Sequence, residues 1–115
     1  MAKVFGIHEI ELRPGVTAEE FERFYREEVS QAAPFEGWKG YLLKGDRGER
    51  EGKYVFLVEI ESIEARDRYS PTPDETSEEA KRIVESSADV WEKWSRLATI
   101  PGEDTMYTDY IVVSD

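Results

Sequence analysis

The segment IHEIELRPGVTAEEFERFY, residues 7–25, contains three consecutive structural signals. Apolar and polar residues alternate over residues 3–12, which predicts a strand, and the turn sequence Arg13-Pro14-Gly15 follows. Thr17 precedes Glu20 by three residues, the spacing of a capping box at a helix N-terminus. The segment therefore predicts a strand, a turn and a helix over about 17–32. The apolar side of that helix is Phe21, Phe24, Tyr25 and Val29.

The next part of the chain has the pattern of a β-hairpin. Residues 38–44 and 53–61 are rich in apolar and aromatic residues, and the second of these segments alternates with a period of two. The linker over 45–52 is polar and contains three glycines. We therefore expect two adjacent antiparallel strands here.

The C-terminal half predicts a helix in two pieces and a last strand. Ser62 can cap a short helix over 63–69, and the proline-containing segment 70–74 interrupts the helical pattern. Thr76-Ser77-Glu78-Glu79 forms a second capping box, from which a long helix should run to about residue 97. A strand over 106–113 completes the prediction.

The element order is therefore β-α-β-β-α-β over one domain, residues 1–115. Two split βαβ units with right-handed crossovers give a ferredoxin-like α+β fold, with a four-stranded antiparallel sheet in the order 4-1-3-2. The helices would cover one face of this sheet. The other face would carry Phe5, Ile7, Val55 and Leu57 with no helix to bury them. Such a face normally packs on a partner, so we expect a homodimer that packs sheet against sheet as an α+β barrel.

Composition excludes several classes of function. The net charge is −11 and the sequence has no cluster of Lys and Arg, so neither nucleic acid nor an anionic membrane is an expected partner. The chain has no cysteine, which removes disulfides, thiolate nucleophiles and cysteine metal sites. No secretory or membrane-spanning pattern is present, so we expect a cytoplasmic protein.

Motifs for nucleotide, hydrolase and metal sites are also missing. The sequence contains no P-loop, dinucleotide fingerprint, G-x-S-x-G or H-E-x-x-H motif. One histidine without cysteine argues against a transition-metal site. Four glutamates lie on the strands opposite to the histidine face, and we expect them to form surface ion pairs with residues such as Lys39 and Lys53. They are Glu9, Glu11, Glu59 and Glu61.

His8 is the only histidine, and it alternates with Val4, Gly6 and Ile10 on the predicted helix-covered face. Two interpretations stay open. His8 is either a core or dimer-rim residue satisfied by a hydrogen bond, or a general base or hydrogen-bond donor in a cavity. Gly6, two residues before it, either leaves room for a ligand or relieves crowding.

The aromatic residues allow the same two interpretations, a core or the wall of an apolar pocket. If they form a pocket, Tyr25 and Tyr110 are candidate catalytic residues beside His8, because each can orient an oxygen of a ligand. The candidate ligand-binding residues are Phe24, Trp38, Phe56, Ser87, Trp91 and Trp94.

The residues IHEIELRPGVTAEEFERFY also resemble a known superfamily. A strand with a central histidine, a basic-Pro-Gly-Val turn and a Thr-capped acidic helix are similar to the stress-responsive dimeric α/β-barrel domains. They are similar too to the antibiotic-biosynthesis monooxygenase-like, NIPSNAP-like and EthD-like domains. The resemblance implies a sheet-to-sheet dimer with a ligand cavity between sheet and helices. It places His8 at the cavity histidine of the first strand, without the second histidine that cyclase-type relatives use.

Together these observations predict a dimeric protein that binds a small apolar, aromatic molecule between sheet and helices. The enzyme hypothesis is cofactor-independent monooxygenase, isomerase or cyclase chemistry with His8 as base. The alternatives are a non-catalytic carrier, a structural homodimer without a cavity, and a haem-binding member of the superfamily. No cofactor is predicted, and haem is the one alternative.

Overall fold

The computed structural model describes residues 2–101 and 107–114. Within these residues each predicted strand and helical segment is present with some changed boundaries, and Met106, the predicted start of the last strand, lies outside them. The elements in chain order are β1 Val4–Ile10, α1 Ala18–Glu27, a 3₁₀ turn Val29–Gln31, β2 Trp38–Lys44, β3 Tyr54–Ile60, α2 Ile63–Tyr69, α3 Glu78–Glu85, α4 Ala88–Leu97 and β4 Tyr107–Ile111. Among these residues, no helix is long and apolar enough to cross a bilayer.

The four strands form one antiparallel sheet in the order β2-β3-β1-β4. This is the predicted order 4-1-3-2 in the opposite direction, so the ferredoxin-like α+β prediction is confirmed. Strand β1 is central, with Gly6 paired to Val58 on β3 and to Asp109 on β4. The next residue on the same face, His8, lies between Phe56 and Tyr107.

Helix α1 begins as predicted and ends earlier than predicted. The Thr17 hydroxyl accepts a hydrogen bond from the Glu20 backbone N–H at 3.1 Å, which caps the first turn. The α-helix ends at Glu27, whereas it was predicted to continue to about residue 32. A 3₁₀ turn over Val29–Gln31 follows it. The residue before Pro34 is biased away from helical geometry, and the chain is already extended at Ala32.

The predicted long second helix is two helices with a break at Ser86 and Ser87. The Ser86 hydroxyl donates to the Ile83 carbonyl at 2.6 Å, and such serine bonds compete with the helical ladder. Helix α3 also begins one residue later than the predicted box, because its N-cap is Ser77 rather than Thr76. The Ser77 hydroxyl accepts from the Ala80 N–H at 3.1 Å.

The core lies between the helices and one face of the sheet, and aromatic rings dominate it. Trp94 of α4 and Phe21 of α1 are fully buried and meet edge to face, with ring centroids 5.3 Å apart. Phe21 also contacts Tyr54 of β3 edge to face at 5.5 Å. Each such pair adds to the free energy gained by burying the rings, so this cluster fixes α1 and α4 on the sheet.

The opposite face of the sheet is more exposed. Along β1, Val4 and Ile10 on the helix side are buried, whereas Phe5 and Ile7 on the other side are only half-buried. The open face, which we define by Phe5, Ile7, Tyr41, Leu43, Val55, Leu57 and Tyr110, has no described helix packed on it. Leu43 and Tyr110 on this face are 44% and 55% exposed. The expected uncovered apolar face is therefore present.

Candidate functional site

A cavity of about 430 Å³ lies between the helix-covered face of the sheet and the segment that runs from α2 to α3. Gly6, His8, Val58 and Ile60 form its floor on β1 and β3. Phe35, Trp38 and Tyr69 form an aromatic wall on one side. The proline-containing segment between α2 and α3 contributes Ser70, Pro71, Thr72, Pro73 and Thr76 to the lining, so it borders the cavity as well as joining the two helices.

The aromatic wall is held in place by its own contacts. Phe35 and Tyr69 are stacked, with ring centroids 4.4 Å apart and planes 11° apart. The Trp38 indole N–H donates to the Ala65 carbonyl at 2.9 Å, and its ring lies edge-on to Phe35 at 5.1 Å. A wall with fixed rings gives the cavity a flat apolar surface, which suits a planar ligand.

Gly6 creates a small recess in the cavity floor, which we call the Gly6 notch. A Cβ atom at this position would lie 2.9 Å from Asp109 Oδ1, 3.7 Å from His8 Nε2 and 3.9 Å from Val58 Cβ. Any other residue would therefore press on the Asp109 carboxylate. Because Gly6 has no side chain, one carboxylate oxygen and one imidazole nitrogen border the same space.

His8 is half-buried, and its ring is held against β4. It stacks on Tyr107 with ring centroids 5.2 Å apart and planes 16° apart. Within the described part of the chain, its buried Nδ1 has no hydrogen-bond partner. Burial lowers the pKa of His8 below its ordinary value of 6.5, and the nearby Asp109 charge opposes this only in part. The neutral imidazole is therefore favoured near neutral pH.

Arg66 of α2 supplies the positive charge at the cavity. Its Nη1 lies 3.6 Å from Asp109 Oδ2, and its Nε lies 3.1 Å from Asp67 Oδ1. The Arg66 side chain is 28% exposed. One guanidinium faces two carboxylates here, so the cavity has no spare positive charge from these three residues.

Four predicted site residues belong to the core or extend it. Phe24 and Trp94 are 3% and 0% exposed and pack on each other at 6.3 Å. Phe56 lies between Trp94 at 5.6 Å and His8 at 6.1 Å and is not among the residues that line the cavity. Trp91 packs against Trp94 at 5.8 Å. Of the predicted ligand-binding residues, Trp38 alone is among those that line the His8 cavity.

Ser87 borders a separate depression of about 290 Å³ between the 3₁₀ turn and α4. Its hydroxyl accepts a hydrogen bond from the Ala33 backbone N–H at 3.1 Å. This contact gives Ser87 a structural role, and it lies away from His8.

The two tyrosines predicted to act with His8 lie elsewhere. Tyr25 packs against Phe56 at 6.2 Å and Trp94 at 6.1 Å and is not among the residues that line the cavity. Burial raises the pKa of Tyr25 to about 12. Tyr110 pairs with Phe5, so its side chain is on the open face, opposite to His8. Neither phenol reaches the same cavity as His8, which corrects that part of the expectation.

Four further residues line the cavity and were not among the named site candidates: Arg66, Asp109, Tyr107 and Tyr69, of which the two tyrosines belong to the aromatic set that could form a pocket wall. Asp109 and Tyr107 alternate on β4, and only the strand register shows that they face Gly6 and His8. A carboxylate, Asp109, on the side of β4 that faces Gly6 and His8 would have been the signal. The sequence alone gives no register, so this signal could not be used.

Two of the four strand glutamates, Glu9 and Glu59, form surface ion pairs, with partners other than Lys39 and Lys53. Glu59 accepts from Lys3 Nζ at 2.8 Å and from the Tyr41 hydroxyl at 2.9 Å. Glu9 pairs with Arg50 at 2.8 Å. Within residues 2–101 and 107–114, no group of three or more potential ligands is arranged to hold a metal ion.

Solved structures with the same fold are similar to this chain over almost its whole length. An uncharacterised NIPSNAP-like domain protein from Burkholderia xenovorans matches with a TM-score of 0.58 and 18% identity. The match covers 98% of this chain and 85% of that chain. A dimeric protein of unknown function with a ferredoxin-like fold, from Bacteroides fragilis, matches with a TM-score of 0.51 and 14% identity over 94% of both chains.

The chain has the ferredoxin-like fold. At these identities the likeness concerns the fold alone, and the ferredoxin-like fold that the resemblance implied is the part that is confirmed. No protein-family model and no curated protein matches the chain.

Proposed function

We propose that this protein is a homodimer that binds a small, planar, largely apolar molecule in the His8 cavity. The observation that carries the proposal is the cavity itself, about 430 Å³ between sheet and helices. This volume is within the range of small-molecule sites, which are mostly apolar with a few convergent polar groups. The aromatic wall and the polar groups of His8, Arg66 and Asp109 have that composition.

The dimer is proposed from the open face. A structurally similar protein from Bacteroides fragilis is described as dimeric. Here Phe5, Ile7, Val55 and Leu57 remain partly exposed on one side of the sheet, where a second copy could bury them. The cavity lies on the other side of the sheet, so a sheet-to-sheet dimer would leave its opening accessible.

Catalysis is a second candidate, supported by the protonation state of His8. The lowered pKa of His8 leaves a neutral imidazole at neutral pH, and a neutral imidazole can act as a base. Monooxygenase, isomerase or cyclase chemistry without a cofactor would use this base on the bound molecule. Turnover that His8→Gln abolishes while ligand affinity persists would favour this candidate.

Haem is the alternative ligand, and His8 would be its axial residue. The His8 ring already stacks on Tyr107, and its buried Nδ1 and the notch-facing Nε2 leave little room for axial ligation of a macrocycle. A smaller hydrogen-bonding ligand fits these contacts better. A Soret shift on haem addition that is lost in His8→Ala would replace the proposal with haem binding.

The binding proposal is tested by blocking the cavity. The protein is purified under native conditions, co-purifying small molecules are identified by mass spectrometry, and affinity for 2-naphthol is measured by calorimetry. Thr76 is exposed and borders the cavity, so Thr76→Trp should weaken binding at least tenfold without unfolding the chain. Arg82→Trp, an equally exposed change on α3 away from the cavity, is the matched control. Equal binding by the two variants would contradict the proposal.

A further inference from the structure

We infer that the Gly6 notch receives a neutral hydroxyl group of the bound molecule, which accepts a hydrogen bond from His8 Nε2 and donates one to Asp109 Oδ1. The inference rests on the proposed binding function and names the chemistry of the ligand. Its geometric basis is the position of a Cβ on Gly6, which lies 2.9 Å from Asp109 Oδ1 and 3.7 Å from His8 Nε2. Both atoms therefore border one space of about the size of a methyl group.

The first step is the tautomer of His8. A neutral imidazole carries one N–H, on either Nδ1 or Nε2. A hydrogen on Nδ1 would be a buried donor with no acceptor among the described residues. Orphaned buried N–H groups are rarer than under-satisfied buried acceptors, so the hydrogen belongs on Nε2. His8 therefore presents a donor to the notch.

The second step is the role of Asp109. Its Oδ2 lies 3.6 Å from Arg66 Nη1, whereas its Oδ1 borders the notch. A carboxylate only accepts hydrogen bonds. The notch thus has a donor on the His8 side and an acceptor on the Asp109 side.

A hydroxyl group is the small neutral group that matches both sides, because it accepts and donates through one oxygen. A carboxylate or a methyl ether cannot donate to Asp109, and an ammonium group cannot accept from His8. The same pairing makes His8 a hydrogen-bond donor in the resting protein rather than a base. Binding a hydroxylated molecule is therefore favoured over general-base catalysis in this tautomer.

The local charges exclude an anionic ligand independently of the tautomer. Arg66 is the cation at this end of the cavity, and Asp67 and Asp109 already lie beside it, at 3.1 Å and 3.6 Å. A ligand carboxylate would have to displace one of them and would then face that carboxylate across the cavity. The net charge of −11 opposes an anion as well.

Three probes on one bicyclic frame test the inference in the wild-type protein: 2-naphthol, 2-methoxynaphthalene and 2-naphthoate. We expect 2-naphthol to bind about tenfold more tightly than the ether, the ratio that one hydrogen bond to a charged acceptor produces. The carboxylate should bind most weakly. Equal affinity for the naphthol and the ether would overturn the inference and leave the proposed binding function intact. This result is expected if a water molecule, and not the ligand hydroxyl, occupies the notch. Absence of binding by all three would contradict both.

Variants assign the effect to the notch. Asp109→Asn removes the charged acceptor and should reduce the naphthol-to-ether ratio at least threefold. Asp67→Asn is the matched control, because Asp67 contacts the same Arg66 and does not border Gly6. Gly6→Ala fills the notch and should abolish the preference. An unchanged ratio in both Asp109→Asn and Gly6→Ala would place the hydroxyl elsewhere.

The tautomer is measured without any variant. His8 is the only histidine, so the imidazole signals in a long-range ¹H–¹⁵N spectrum need no further assignment. We expect the hydrogen on Nε2 above the pKa of His8. A hydrogen on Nδ1 would overturn the donor role of Nε2 and with it the inference.

Discussion

His8 and Tyr107 face each other across the β1–β4 pair, with their rings stacked 5.2 Å apart and nearly parallel. This contact covers one face of the imidazole and turns its edge toward the Gly6 notch. Phe56, on the other neighbouring strand, lies 6.1 Å from the same ring. The orientation of His8 is therefore set by its two cross-strand partners, and no ligand is needed to fix it.

The first prediction concerns the titration of His8. We expect an NMR titration of the imidazole to give a pKa below 6.5, because burial disfavours the charged form more than Asp109 favours it. The charged and titratable groups near the ring are Asp109, its partner Arg66 and the Tyr107 hydroxyl. Asp109→Asn should lower the pKa further. Tyr107→Ala should move it back toward 6.5, since the ring would gain solvent. A wild-type pKa at or above 6.5 would contradict this account.

The same shift predicts a direction for stability against pH. The unfolded chain binds a proton at His8 near pH 6.5, whereas the folded chain binds it only at lower pH. The stabilisation that comes from the neutral His8 should therefore be fully present above pH 6.5. It should be lost as the pH falls through 6.5 toward the folded-state pKa. Carboxylates also titrate in acid, so the His8→Gln variant is needed to isolate the effect of His8. The urea midpoint of this variant should fall less steeply than that of the wild type as the pH decreases from 6.5 to the folded-state pKa of His8.

The sequence predicted the sheet because β1 and β3 have strong alternation and because the turn and cap signals between elements are local. The Thr17 cap is an example, since a hydroxyl and a backbone N–H three residues away decide it. The break at Ser86 and Ser87 was missed for a physical reason. The helical periodicity continues through it, and the bond from Ala33 to the Ser87 hydroxyl comes from a distant part of the chain.

Of the residues that line the cavity, the sequence pointed to His8, Trp38 and, as possible room for a ligand, Gly6. Arg66, Asp109 and Tyr107 come to His8 through the register of β4 and the position of α2, neither of which is encoded in a local pattern. Tyr110 shows the same limit. It is one residue from Asp109 and therefore points to the opposite face, as strand periodicity requires once the register is known.

A second prediction compares two glycines, Gly40 on β2 and Gly6 on β1. A Cβ on Gly40 would lie 2.8 Å from the Phe56 ring, which is confined by Tyr25 and Trp94. Gly40→Ala should therefore reduce the free energy of unfolding by about 1–3 kcal/mol, the usual cost of overpacking. Gly6→Ala meets the end of the Asp109 side chain, which can move, so its cost should be the smaller. Urea denaturation of both variants checks the order, and the reverse order would be inconsistent with these contacts.

A third prediction concerns Trp94 at the centre of the core. Its side chain is fully buried and its indole N–H donates to the Thr99 carbonyl at 2.8 Å. Trp94→Ala should cost about 3–5 kcal/mol in unfolding free energy, as large-to-small changes in cores do. Trp94→Phe should cost less than Trp94→Ala, because it keeps a ring beside Phe21. It should still destabilise the protein, since the hydrogen bond to the Thr99 carbonyl is lost. Ala88→Gly, an exposed change at the first residue of α4, is the control and should cost less than either substitution of Trp94.

The last prediction concerns the open face and its proposed partner. Leu57 lies on this face between Ile7 and Tyr41 in the sheet register, so a sheet-to-sheet dimer would bury it near the centre of the interface. Leu57→Glu places a carboxylate there without touching the helix-side core. An unpaired charge in an apolar interface costs several kcal/mol. We therefore expect the dissociation constant of the dimer, measured by sedimentation velocity, to rise at least a hundredfold. Ala88→Glu, at an exposed position of α4, should leave the dimer unchanged. A wild-type monomer at micromolar concentration, or a Leu57→Glu variant as dimeric as Ala88→Glu, would show that this face is not the interface.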